Sequence, residues 1–324
     1  MSSTRTDTTV LRGACAIFFN GAVLYSADKV EVKTTIETFQ IPTSHVGPLG
    51  QRVKQIKHEI SFKPVGAVTA TALAALFPHT SCTPGASAMP ATPQTVTIWP
   101  MNGKEKVQYE NGFVSKMPDL LFSAVAPLFE TVTIECIGKD NAAWSAADKQ
   151  LTLSATAAFT DTSFSLAEVK TVPYAAALGA LSAPWAAIKT RKGFKISSNV
   201  PLDEDTFNTD AEGIVDVLYK EGAKLNVKFD PIGVSVSDLH ALLRLQGTGA
   251  ERGMEIADLV HDLAIDGGVG NVQATFENLQ LLTAPSQFKA DLDRVPELDF
   301  VSTRTLATGG AALQDLFSIG IHAA

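Results

Sequence analysis

Apolar and polar residues alternate with period two along much of the chain. Over Lys29–Phe39, Val30, Val32 and Ile36 fall on one side, and Glu31, Lys33, Thr35 and Glu37 on the other. That is the pattern of a half-buried strand. It resumes with Ile56, Ile60 and Phe62 set against Gln55, Lys57, Glu59, Ser61 and Lys63, and stops at Pro64 and Gly66. Asn20-Gly21, between the apolar runs Ala14–Phe19 and Ala22–Tyr25, predicts a hairpin turn. Ala72, Leu73, Leu76 and Phe77 recur at helical spacing and predict a short amphipathic helix over Thr69–Phe77. Further strands are predicted at Gln94–Trp99, Lys106–Tyr109, Gly112–Lys116, Leu120–Ala124, Glu130–Ile137 and Gln150–Ala155. Gln40–Arg52 and residues 78–94 are rich in turn formers and read as loops.

The pattern then recurs. Residues 60–66 read Ile-Ser-Phe-Lys-Pro-Val-Gly and residues 227–233 read Val-Lys-Phe-Asp-Pro-Ile-Gly. Around the second copy, Phe194, Ile196, Ser198, Val200 and Leu202 alternate with Lys195, Ser197 and Asn199. A polar loop over Asp203–Glu212 takes the place of Gln40–Arg52, and Leu225, Val227 and Phe229 alternate with Lys224, Asn226, Lys228 and Asp230. Val236–Leu245 falls where the first helix fell. A turn at Asp266-Gly267-Gly268 precedes strand-like Asn271–Leu282, and Leu298–Ser302 closes the series. An echo at fixed spacing points to a repeated unit. The chain therefore reads as a flexible arm over 1–9 and two tandem β domains, 10–170 and 171–324, mainly β with short helices.

The 324 residues suffice for two domains of ordinary size. With 45% hydrophobic and 19% charged residues, both can hold packed cores. Much of the apolar content is alanine, and Ala-rich Tyr174–Ala187 reads as a surface cover or subunit contact. Net charge is -8, which opposes adhesion to nucleic acid but not its passage. Cys15, Cys82 and Cys136 are far apart, with no metal-ligand spacing, and read as buried apolar residues of a reducing compartment. No signal peptide or apolar run of membrane-spanning length is present, which predicts no membrane association and synthesis in the cytoplasm.

Chemistry-bearing motifs are absent. Gly247-Thr-Gly249-Ala-Glu-Arg-Gly253 has the wrong spacing for a dinucleotide loop. His58 sits where the second unit has Leu225, which predicts a core-edge position rather than a catalytic one. The acidic stretch Asp203–Glu212 lacks a calcium-loop register and reads as a solvated loop or a subunit contact. No Lys/Arg cluster carries interleaved aromatics for single-strand binding. The expectation is a protein without catalytic residues, metal or cofactor.

The hairpin, the long loop between alternating strands, the Pro-x-Gly strand end and the short helix resemble the tail tube proteins of long-tailed bacteriophages. So do Asn111-Gly-Phe-Val-Ser-Lys-Met-Pro-Asp-Leu-Leu-Phe and Leu128-Phe-Glu-Thr-Val-Thr-Ile-Glu. The resemblance implies two tube-like β-sandwich domains, each flanked by a helix. It also implies stacked rings, which a duplicated chain would build as trimers with pseudo-sixfold symmetry. Its implied role is a structural virion protein of the tail, assembled in the host cytoplasm, through which double-stranded DNA is ejected without specific binding. Implied partners are further copies and the tape measure, tail terminator and tail-tip proteins. By position, Pro42, His45, Val46, Pro48, Arg52, Asp203, Glu204, Asp205, Asp210 and Glu212 would meet the next ring. Glu31, Lys33, Glu37, Lys57, Glu59, Lys195, Lys224 and Lys228 would face the lumen. Alternatives are the tube of a contractile or secretion-type injection machine, a carbohydrate-binding or adhesin β-sandwich, and a hydrolase with an unrecognised site.

Overall fold

A computed structural model describes residues 2–12, 14–40, 50–65, 68–92, 94–100, 105–123, 128–137, 152–155, 175–179, 186–206, 214–232, 260–283, 287–289, 292–294, 297–302 and 315–323. The first half contains β1 (Ser2–Arg12), β2 (Cys15–Phe19), β3 (Ala22–Gln40), β4 (Gln51–Val65), helix α1 (Ala70–Leu76), β5 (Val96–Pro100), β6 (Glu105–Tyr109), β7 (Gly112–Lys116), β8 (Leu120–Phe122), β9 (Val132–Ile137) and β10 (Thr152–Ala155). The second contains β11 (Ala175–Gly179), β12 (Ala186–Asn199), β13 (Leu202–Thr206), β14 (Ile214–Tyr219), β15 (Lys224–Ile232), β16 (Val260–Asp266), β17 (Val272–Thr283), β18 (Gln287–Lys289), β19 (Leu292–Arg294), β20 (Leu298–Ser302) and β21 (Phe317–Ile321). The protein is mainly β, with one short helix among the described residues.

Asn20 and Gly21 both take positive φ, the backbone that a two-residue hairpin turn demands, and so join β2 to β3. Thr69 caps α1, its hydroxyl accepting from the Ala72 amide at 3.1 Å. The helix buries Ala72, Leu73, Ala75 and Leu76. Just beyond it, Phe77 meets the Phe317 ring edge-on, with centroids 5.9 Å apart, so the helix end ties the first half to β21.

The large ladders are two curled antiparallel sheets. In the first, the order runs β5-β2-β3-β4-β9-β7; in the second, β16-β11-β12-β15-β20-β17. Their registers correspond. Val30 faces Phe62 and Val32 faces Ile60; Phe194 faces Phe229 and Ile196 faces Val227. Phe62 and Ile60 face Val132 and Ile134; Phe229 and Val227 face Leu298 and Phe300. Even the irregularities coincide. A bulge falls between Ser26 and Val30 in β3 and between Thr190 and Phe194 in β12. Asn111 (φ 54) and Asn278 (φ 55) mark the same bend, which separates β6 from β7 but leaves β17 continuous. Asparagine tolerates this left-handed backbone where most side chains do not.

The halves are not independent. β8 leaves the first sheet and pairs with β12, Phe122 facing Phe194 and Leu120 facing Ile196. Gly193 makes this approach possible: its φ is +86, and a β-carbon there would collide with the Phe122 carbonyl oxygen. Buried residues of both sheets, among them Ile17, Ile60, Phe62, Phe122, Phe276 and Phe300, form one apolar cluster.

Several expectations change. Ser2–Arg12 is a strand paired with β3 rather than a flexible arm, because its backbone completes an exposed ladder. The first long loop is shorter than predicted, since β3 runs to Gln40 and β4 starts at Gln51; Arg52 therefore lies in a strand, opposite Phe39. Asp203, Glu204 and Asp205 lie in β13, which pairs with β14 as a hairpin, rather than in a loop. The Val236–Leu245 helix, the Gly247–Gly253 segment and the domain boundary near 170 lie outside the described residues.

His58 is buried, as its equivalence with Leu225 predicted. Its Nδ1 lies 2.9 Å from the Thr34 hydroxyl and its ring 4.8 Å from that of Tyr109, while Nε2 has no hydrogen-bond partner among the described residues. Burial pushes its pKa down to about 4. The unfolded chain therefore binds more protons, and stability falls as pH drops from about 6.5 towards 4, by up to about 1.4 kcal/mol per pH unit. His58→Leu, which installs the counterpart residue, should weaken this acid sensitivity in urea titrations at pH 7 and 5; an unchanged pH dependence would contradict the assignment. Gly193→Ala should cost about 2–3 kcal/mol by prising β8 from β12, and wild-type stability in the same titration would show that the approach is not tight.

Candidate functional site

The alternation that buries one side of each sheet carries a row of charges on the other. In the first sheet Glu31, Lys33 and Glu37 face Ser61, Glu59 and Gln55 across β3 and β4, and Thr35 faces Lys57. In the second, Lys195 faces Lys228, and Asn199 faces Lys224. None of the eight residues predicted to face a lumen is buried. The structure thus brings them together as two polar faces, one per sheet.

The lysines on these faces are largely neutralised. Lys33 pairs with Glu59 at 3.2 Å, Lys228 with Asp299 at 3.0 Å and Lys195 with Asp119 at 3.8 Å. Lys57 sits 2.6 Å from Glu135 and also contacts Glu204. Burial opposes the charge on Lys57, but the two carboxylates outweigh it and hold its pKa above the ordinary lysine value. Exposed pairs of this kind contribute little stability, but they occupy the cations. A face whose ammonium groups are already paired has little left for a phosphate backbone.

Glu204 reaches Lys57 because the β13–β14 hairpin folds back onto the first half. The Gly85 and Ala88 amides donate to the Tyr219 and Val217 carbonyls at 2.8 and 2.7 Å, and the Tyr219 amide donates to Ala86 at 3.0 Å. Residues 85–88 thereby lie along β14, with Ser87 opposite Leu218 in an isolated antiparallel bridge. Val217 and Tyr219 are buried, and the Tyr219 hydroxyl lies 2.7 Å from Nδ1 of buried His79, whose other ring nitrogen meets the Val114 carbonyl. Asp216 accepts from Ser87 at 2.6 Å. Sequence reasoning passed over this docking. Its available signal was the alternation of Val215, Val217 and Tyr219 with Asp216 and Leu218.

Between the hairpin and the polar side of β4, β7 and β9 lies a groove of about 690 Å³, lined by Lys57, Lys116, Glu59, Glu135, Asp203 and Glu204 among others. Two lysines stand against four carboxylates there, so the groove is acidic. Among the described residues no group of three or more His, Cys, Asp or Glu is placed to hold a metal ion. Cys15, Cys82 and Cys136 are buried and form no disulfide, and burial raises the pKa of Cys15 and Cys136.

Of the residues predicted to meet a neighbouring ring, Asp203 pairs with Lys220 at 2.9 Å and Glu204 with Lys57, so both carboxylates are already engaged within the chain. Asp205 and Arg52 lie in β13 and β4. Pro42, His45, Val46, Pro48, Asp210 and Glu212 lie outside the described residues.

Lys57→Met removes the cation shared by two carboxylates. It should lower stability by about 1–2 kcal/mol, while Lys33→Met, which breaks one exposed pair, should stay within about 0.5 kcal/mol. Equal effects in chemical denaturation would show that the hairpin contact at Glu204 carries no weight.

No protein-family model matches the chain, and no curated protein is a significant match to it.

Proposed function

We propose that this chain is a structural subunit of a tube: three copies close a ring with pseudo-sixfold symmetry, and rings stack into the tail conduit of a long-tailed bacteriophage. In this reading each curled sheet with its outer strands is one tube-like β-sandwich unit, over residues 10–170 and 171–324. The observation that carries the reading is the repeated register, in which Val30–Phe62–Val132 in one sheet matches Phe194–Phe229–Leu298 in the other. Two equivalent units per chain turn a six-unit ring into a three-chain ring. The paired lysines of the polar faces support passage of DNA without retention, since few cations remain to exchange with phosphate counterions. The subunit is structural rather than catalytic, and its partners are further copies of itself, the proteins that set tail length and close its ends, and sliding double-stranded DNA.

With Asp203 and Glu204 engaged within the chain, the inter-ring contact is assigned to the segment between β3 and β4, around Val46–Gly50.

Negative-stain microscopy of the purified protein should show rings or tubes, and a lasting monomer that binds glycans would overturn the reading. Deleting Val46–Gly50 should leave folded rings that no longer stack; normal tubes from that variant would remove the loop from the contact.

A further inference from the structure

The two sheets treat one equivalent edge differently. Opposite β4, the free side of β3 pairs with β2 at residues 22–25 and then with β1 at residues 29–39. Opposite β15, the same side of β12 pairs with β11 at residues 186–188 and then with β8 at residues 194–196. Leu11 faces Val30 and Thr9 faces Val32; Phe122 faces Phe194 and Leu120 faces Ile196. β1 therefore occupies on β3 the place that β8 occupies on β12, antiparallel and in the same register.

The two occupants are unequal. Leu120 and Phe122 are each 1% exposed. Among the described side chains of β1, Arg5–Val10 are all exposed and only Leu11 packs partly against the core. β1 satisfies the backbone of the edge while burying almost no apolar surface, which makes it a weak occupant.

β8 also has a counterpart in the second half. It follows β7, whose Val114 faces Ile134; the matching part of β17 places Leu281 opposite Phe300. After β17 comes β18, Gln287–Lys289, as short as β8. The spacing between the halves is 167 residues before β8, Val114 to Leu281, and 166 after it, Ile134 to Phe300; the spacing of 166 sets Phe288 on Phe122. Among the described residues β18 pairs only with β19, in a two-stranded ladder apart from both large sheets.

We infer that the β3 edge beneath β1 is a docking site for β18 of a second copy of this chain, with Phe288 entering opposite Val30 where Leu11 now lies, and that β1 is a removable cover of that edge. The first unit supplies its strand to the second within one chain; the second supplies its own to the first unit of the next chain. Such a contact is head-to-tail, and it closes into a ring when the rotation permits. The inference rests on the proposed self-assembly for ring closure, but the strand docking stands by itself.

The test uses two variants of the full chain that each add one cysteine to the three buried ones. In β12 and β8, Lys195 faces Leu121; the equivalent positions are Glu31 and Gln287. A mixture of Glu31→Cys and Gln287→Cys proteins under mild oxidation should give a disulfide-linked dimer that neither gives alone. Removing residues 2–12 should raise its yield several-fold, and Phe288→Asp should abolish it while leaving the circular dichroism unchanged. Absence of the mixed dimer would overturn the docking, as would homodimers at equal yield. A yield unaffected by removing β1 from a protein that still folds would overturn the cover. Tubes in the microscope without the mixed dimer would sink this contact and leave the tube reading standing. The mixed dimer without tubes would do the reverse. Should removal of 2–12 prevent folding, the full-length pair and Phe288→Asp still decide the docking.

Discussion

A strand at the end of a sheet exposes amide and carbonyl groups that must find partners, and this requirement organises the whole molecule. On β12 the demand is met by β8, a strand contributed by the other half and admitted by the absence of a side chain at Gly193. On β3 it is met by β1. The hairpin of β13 and β14 is completed in the same manner by residues 85–88. The first and third of these exchanges fasten one half of the chain to the other. The shared apolar cluster, with Phe77 against Phe317 and Phe122 beside Phe194, follows from those fastenings.

Backbone pairing also explains the similarity of the two sheets despite their weak likeness in sequence. Residue identity differs at most paired positions, as with Val30 and Phe194 or Val132 and Leu298. What is kept is the side of the sheet on which an apolar group falls, together with the bulge and the asparagine bend that shape the curl. The outward sides kept a different property, charge balance. Lysines there sit beside carboxylates on or next to neighbouring strands, and at Lys57 the arrangement extends to a second carboxylate, on the β13–β14 hairpin.

Strong local chemistry was legible in the sequence. Asn20-Gly21, the helical spacing of Ala72, Leu73, Leu76 and Phe77, and the alternation in β3, β4, β9 and β15 predicted elements that the structure contains. The burial of His58 was foreseen by matching it to Leu225. What escaped was set by distant partners. Ser2–Arg12 is polar and reads as an arm; only the edge of β3 makes it a strand. Asp203, Glu204 and Asp205 are three successive acids and read as part of a loop; they lie in a strand because β14 stands beside them. Of the predicted assembly residues, the eight on the polar faces were placed by alternation alone, whereas the engagement of Asp203 and Glu204 depended on lysines far away in sequence. One signal was overlooked outright: Tyr109-Glu-Asn111 and Phe276-Glu-Asn278 share the 167-residue spacing of the two Pro-x-Gly strand ends and mark the same bend.

The central claim is that one chain carries two equivalent units which together supply a third of a ring. Native mass spectrometry of the smallest stable assembly tests it most directly. The account predicts closed species of three chains and their multiples. A smallest closed species whose chain number is not a multiple of three, or a monomer at every concentration, would contradict it.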